Sequence, residues 1–547
     1  MLDRTLAQRA PLLWILIPLM LGLSAGKAVP VPLPVLGLLV AAVGWAWVAV
    51  RAERTVLWGV ALGASVVCSG LALYELTRAR LPAWESLPPR EARLQVEISR
   101  IFAPGKDPRK IGGLGTIRHA SDHLKDLVGQ RVYFSGRLPR SGPRPISSAT
   151  IELVGRLERL AKSPPANTFD GYLAAAGMNF KVSRGRIIRQ TVAPTVHRTF
   201  CNAALTRMSQ VLGFGLEAHP ELAGVLRAML LGQGQELSDE QDAWFTQTGT
   251  LHLFSISGLH IGVIAVAVSG VLTVLRLPHW PRFILSISIL WLYVDVTGRA
   301  PSAIRAFFMI LLLQASFVLR RPRSTVSALV TSALVVLVFD PMQLFSASFQ
   351  MSYGIVAALL VMGLPLGEFW EGRWMPFRAL PPTSWIWVHR WIRAGLRGTL
   401  SALAIGISTA LVSTVTGVLY FQLFTPGALL ANLALIPVAS LALLAGFASL
   451  LVGLPGAMEL SVVFNHAAAL VLGVVEVSLA WFADLPGVHF PAAFRDPIVG
   501  YAVLAGLLVL LFGGFHAGWS RRVGGFWPPV VYSALALILL VSFESVP

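Results

Sequence analysis

Long runs of apolar residues recur along this chain, and they constrain its fold more than any other feature. Thr55–Leu76 and Leu251–Leu275 each exceed the roughly 20 apolar residues that carry a helix across a bilayer. Ten such stretches follow residue 250: 251–275, 281–297, 302–319, 324–339, 342–364, 398–418, 426–453, 463–484, 498–514 and 528–543. Three more, Leu12–Ala28, Leu33–Val50 and Thr55–Leu76, open the chain. The expected fold is a polytopic α-helical membrane protein of roughly thirteen spans. Composition agrees, with 55% hydrophobic and 13% charged residues, against about 25% charged in soluble domains. Disorder, collagen and disulfide scaffolds are excluded. The first span is no convincing cleaved signal, because two more follow it without a clear processing site.

One segment breaks the pattern. Residues 81–200 lack a long apolar run and carry 20 Lys/Arg against 9 Asp/Glu, so +11 of the net +17 is concentrated there. Alternation at Leu94, Val96, Ile98 and at Val132, Phe134 predicts strands over Arg93–Phe102, Arg131–Leu138, Thr150–Leu157 and Phe180–Ile188. Turns are expected at Gly112–Gly115 and Ser141–Pro145. This reads as an inserted extracytoplasmic β-rich domain, a small OB-like barrel, with a sandwich as the alternative. Its charge suits a polyanionic partner, nucleic acid or acidic lipid. Candidate nucleic-acid contacts are Arg131, Tyr133, Arg137, Arg140, Arg144, Lys181, Arg184 and Arg186, with Phe134 a second stacking aromatic; alternation favours the core for either aromatic.

Four domains follow: 1–80, three membrane helices; 81–200, the basic domain; 201–247, interfacial helices over Asn202–Leu212, Glu221–Leu231 and Ser238–Thr246; and 248–547, a transmembrane block. Ser238 and Gln241 have capping-box spacing. Arg4, Arg9, Arg51, Arg54, Arg276, Arg282, Arg320, Arg321, Arg323, Arg373 to Arg397, Arg521 and Arg522 all fall on one side of the span list, whereas the turns at Asp340 and Phe421–Pro426 carry no Lys or Arg. The positive-inside rule then puts the amino terminus in the cytoplasm and residues 81–200 and Pro547 outside.

Polar residues inside spans are costly unless paired or facing a cavity. Thr248 to His260 places His252, Ser255, Ser257 and His260 at the start of a span, and Gly258 allows a break or close helix approach. Ser257 and His260, three apart, would share a helix face. That spacing allows a Ser/His nucleophile pair, interhelical hydrogen bonding, or the lining of a pathway. Asp295 and Arg299 have ion-pair spacing, and Arg305 lies one turn inside its helix. Gln350, Ser352, Asn432 and Glu476 complete the set. Together they predict one polar path through the bundle. Metal signals are weak: His119 and His123 flank Asp122 in a segment that reads as an exposed loop. No metal site, cofactor or phosphate-binding glycine loop is expected. Cys68 and Cys201 are not expected to pair.

The sequence resembles the ComEC family of competence membrane proteins. The resemblance rests on Leu230-Leu-Gly-Gln233, Leu237-Ser-Asp239, Thr248-Gly-Thr250, His252 to His260, then Gly298, Pro301-Ser302, Arg305-Ala306, Asp340-Pro341, Phe349 to Ser352, Asn432 and Pro437, in the family's order. Pro165 to Gly177 resembles the family's signature in the soluble part, so the likeness covers essentially the whole chain. It implies a channel that passes one DNA strand across the cytoplasmic membrane, with no catalytic role. Implied partners are single-stranded DNA, membrane lipids, a DNA receptor, a separate nuclease, a cytoplasmic ATP-driven motor and further copies of the chain. Many members add a metallo-β-lactamase-like domain after the last span; with the chain stopping at Pro547, that domain is expected to be missing and DNA cleavage is not expected. Some members have a cysteine pair in the soluble domain, absent here, and Gln233 stands where an acidic residue is common. The competing readings are a small-solute or lipid transporter with a basic extracytoplasmic domain, and an intramembrane hydrolase at Ser257 and His260.

Overall fold

A computed structural model describes residues 10–28, 35–77, 88–102, 107, 109–140, 144–161, 164–165, 168–254, 256–320, 324–377, 385–520 and 524–543. Three apolar helices, α1 (Leu13–Ala28), α2 (Val35–Arg51) and α3 (Thr55–Thr77), come first. α1 meets α3 through Gly22 and Gly70: a Cβ on Gly22 would stand 3.1 Å from the Gly70 Cα, so only small residues allow this approach.

Five strands follow: β1 (Arg90–Ile101), β2 (Lys110–Ala120), β3 (Arg131–Arg137), β4 (Thr150–Arg159) and β5 (Phe180–Val192). They close into a barrel in the order β1-β2-β3-β5-β4, with β3 and β5 parallel and the other pairs antiparallel. Leu94, Val96, Ile98, Ile117, Val132, Phe134, Ile151, Leu153 and Val182 fill it. The stretch Gly112–Gly115, expected as a turn, is instead the middle of β2, paired to β1 and β3. A Cβ on Gly113 would run into the Arg100 carbonyl oxygen, and one on Gly115 into Val96. The glycines allow neighbouring strands to close tightly, and they erase the alternation that marks a strand. The short helix α4 (Phe169–Ala175), capped by Thr168, packs outside the barrel on Leu114, Leu160 and Tyr133.

Three helices with polar faces lead on: α5 (Val196–Gly213), α6 (Pro220–Leu231) and α7 (Asp239–Gln247). The Ser238–Gln241 capping box is formed in both directions. Then come α8 (Gly258–Val274), α9 (His279–Val296), α10 (Pro301–Val318), α11 (Thr325–Phe339), α12 (Ala347–Ala358), α13 (Leu364–Trp374), α14 (Trp387–Phe421), α15 (Ala428–Gly453), α16 (Met458–Ala483), α17 (Pro497–His516) and α18 (Trp527–Leu540). Among the described residues, eight helical stretches are long and apolar enough to span a bilayer, and four shorter helices are apolar. The protein is a polytopic helical membrane protein.

Candidate channel and nucleic-acid interface

The entry to α8 differs from the expected continuous span. A short turn at Leu251–Leu253 is followed by non-helical backbone at Phe254, Ile256 and Ser257, and regular helix starts at Gly258. Thr248 and Thr250, both buried, share a 2.9 Å hydrogen bond below the break. Gly249 has φ +67°, and a Cβ there would lie 2.7 Å from the Ala428 Cβ, so this close contact with the start of α15 requires glycine. Phe254 stacks on Phe245 at 3.7 Å.

Ser257 ends the irregular segment. Its backbone N–H and its hydroxyl both donate to His260 Nδ1, at 3.1 and 2.7 Å. They do not share a helix face as expected, because Ser257 precedes the first helical residue. A backbone N–H can only donate, so this network puts the neutral imidazole's proton on Nε2. His260 is buried, and its Nε2 has no partner among the described residues. On the other side, the Ser302 hydroxyl donates to the Ile256 carbonyl at 2.6 Å, tying the break to the first turn of α10. One turn on, Arg305 is 1% exposed. Its Nη2 donates to the Ser348 carbonyl and hydroxyl, each at 2.7 Å, whereas Nε and Nη1 have no partner among the described residues.

His252 is exposed in the Leu251–Leu253 turn. Asn432 is half-buried on α15, one turn beyond Ala428, and its Oδ1 lacks a partner among the described residues. Ser255 lies outside the described residues. Gln350 braces other elements: it donates to the Leu344 carbonyl at 3.0 Å and accepts from the Tyr420 hydroxyl at 2.8 Å. Ser352 is half-buried on the same helix. Glu476 accepts from Gln241 Nε2 at 2.9 Å, which joins α16 to α7.

On the barrel, exposed Arg184 and Arg186 meet Arg90 and Arg156 in a groove of about 910 Å³. Arg90 and Arg156 carry no sequence signal for the groove, because strand register brings them here, with Glu91 opposite Arg156 across β1–β4 and Val154 opposite Arg186 across β4–β5. Lys181 is held by Asp170 and Glu158, at 3.1 and 3.7 Å. Arg137 stands 3.8 Å from Asp107. Arg131 points toward Asp340, 4.0 Å away. Arg140 and Arg144 are exposed. Phe134 is fully buried in the barrel. Half-buried Tyr133 packs edge-on against Phe169, with ring centroids 5.1 Å apart. Inside this region Glu152 is buried between Arg93 (2.6 Å) and Arg189 (2.8 Å). The Arg189 hydrogen bond, aided by Arg93, outweighs the opposing effect of burial and holds the Glu152 carboxyl below the usual range.

The non-helical Ile256 and Ser257, Arg305 and Asn432 all fall inside residues 229–515, which match the family model described as Competence protein. The chain belongs to the competence protein family. It is similar to ComE operon protein 3 of Bacillus subtilis, at 34% identity over 26% of this chain and 18% of the relative. Competence protein ComA of Neisseria gonorrhoeae is 28% identical over 53% of this chain and 38% of its own. Recombination protein 2 of Haemophilus influenzae is 30% identical over 32% and 23%. The matched segments thus span well under half of each relative. No solved structure matches the chain.

Proposed function

We propose that this competence protein is the channel through which single-stranded DNA crosses the cytoplasmic membrane during natural transformation. The observation that carries the proposal is the non-helical backbone at Ile256 and Ser257 before Gly258, tied to the first turn of α10, with Gly249 just upstream against the start of α15. Non-helical backbone at membrane depth is tolerated where it is enclosed by protein or lines a cavity, and transporters place their binding sites at such breaks. His260 lies in the first helical turn after it and Arg305 one turn beyond Ser302, with unpartnered donors among the described residues at His260 Nε2 and at Arg305 Nε and Nη1; His252 lies just before it and Asn432 one turn beyond Ala428. A strand with a charge on every phosphate needs such donors, because an apolar tunnel would impose a large desolvation cost.

The barrel is the OB-like capture domain in this reading, held outside the cell, with phosphates in the arginine groove. The amino terminus is cytoplasmic. A DNA receptor, a separate nuclease and a cytoplasmic motor complete the route, and the chain itself conducts rather than cuts DNA. Transformation frequency in a His260→Ala strain tests the channel. Loss of DNA entry at normal protein level supports it, and unchanged entry refutes it. Reporter fusions at Ser141 and Arg321 should report opposite compartments.

The 2.7 Å contact between Ser257 Oγ and His260 Nδ1 favours a hydrolase as a second reading. Against it, the Ser257 N–H competes for the same nitrogen, and no carboxylate among the described residues orients Nε2. A Ser257→Ala variant separates the readings: the channel tolerates it, whereas a nucleophile does not.

A further inference from the structure

Helix α5 carries the chain from the last barrel strand into the bundle. His197 and Cys201 lie one turn apart on one of its faces, opposite Asp295 near the end of α9. His197 Nε2 is 2.6 Å from Asp295 Oδ2, and the Cys201 Sγ is 3.6 Å from the same nitrogen. One donor atom from each of the three lies within 4.8 Å of the other two. Asp295 is buried, and its Oδ1 receives Arg198 Nη1 at 2.7 Å and Arg299 Nε at 2.6 Å. Arg299 Nη2 also reaches Oδ2, at 3.1 Å.

We propose that His197 Nε2, Cys201 Sγ and Asp295 Oδ2 bind one divalent cation of the zinc class, clamping the barrel's exit helix to α9. The donor set fits. Tetrahedral zinc bound at ordinary lengths separates its nitrogen and sulfur ligands by about 3.5 Å, close to the 3.6 Å found. Nitrogen and oxygen ligands stand about 3.3 Å apart in the same geometry, so His197 and Asp295 must part by about 0.7 Å from their hydrogen-bonded distance. Both arginines hold the carboxylate through Oδ1, which is how outer partners orient a ligating carboxylate. The half-exposed His197 leaves the fourth position to water.

Binding forms a metal–sulfur bond and releases the Cys201 thiol proton to solvent. The imidazole proton moves to Nδ1, and no oxidation state changes. Because the Cys201 thiol must lose its proton to bind, affinity should rise with pH. The two arginines leave the site positive, so it exchanges its ion more readily than an all-cysteine site.

The test is titration of the purified full-length chain in detergent, stripped with chelator, with Co²⁺. A sulfur-to-cobalt charge-transfer band should saturate at one ion per chain and bleach when Zn²⁺ is added. Of the two cysteines in the sequence, Cys201 is the one that has such neighbours among the described residues. Cys201→Ser should therefore abolish the band, Cys68→Ser should preserve it, and His197→Gln should weaken binding at least tenfold. Monodisperse wild-type protein with no such band, or a band that survives Cys201→Ser, overturns the proposal.

Discussion

Replacing Arg305 by Gln should abolish DNA uptake while changing the protein's stability by no more than about 1–2 kcal/mol. The guanidinium is 1% exposed and makes two hydrogen bonds to Ser348. Hydrogen bonds from a charged donor are worth about 1.5–3 kcal/mol each, so these two contribute about 3–6 kcal/mol. Nε and Nη1 are buried without a partner among the described residues. Each unsatisfied group costs about 1–3 kcal/mol, more when charged, so together they cancel most of that gain. A glutamine amide can still donate to Ser348 and leaves no buried charge. Net stability should then change by no more than about 1–2 kcal/mol. Function should respond differently, because the variant removes the positive charge beside the helix break. The assay pairs transformation frequency with thermal unfolding of the purified variant in detergent. Normal uptake would reduce Arg305 to a packing residue. Loss of both uptake and several kcal/mol of stability would show that its role is structural.

Three other outcomes follow from the barrel. Gly115→Ala puts a Cβ against Val96 and within 2.6 Å of the Glu97 carbonyl oxygen, so overpacking should destabilise the barrel by about 1–3 kcal/mol, read by hydrogen exchange of β1 and β2 amides. Glu152 has a lowered carboxyl pKa when folded; the stability it contributes is fully present above the ordinary glutamate value of about 4.3 and is lost as pH falls through that value and the lower folded one. Exchange protection in β4 and β5 should fall in that acid range, and Glu152→Gln should flatten the dependence. Arg184→Ala with Arg186→Ala should weaken single-stranded DNA binding and reduce the slope of log affinity against log salt by about 1 for each phosphate the protein no longer neutralises; an unchanged slope would remove the groove from the DNA path.

The sequence alone was enough to read a membrane bundle, the place of the inserted β-rich segment and the capping box at Ser238. Each depends on composition or spacing over a few residues, where apolar length, period-two alternation and local hydrogen bonding act directly. Glycine hid β2, because strand periodicity is carried by side chains and Gly112, Gly113 and Gly115 have none. Tertiary structure decided the remainder. That Ser257 caps a helix rather than sitting inside one is supported by Ser302, distant in sequence, whose hydroxyl holds the Ile256 carbonyl. Arg90 and Arg156 join Arg184 and Arg186 only through strand register, whereas Lys181 is neutralised by acids that register and α4 bring to it. His197, Cys201 and Asp295 carry no joint signal in one dimension: the gap of nearly a hundred residues closes only when α5 packs on α9.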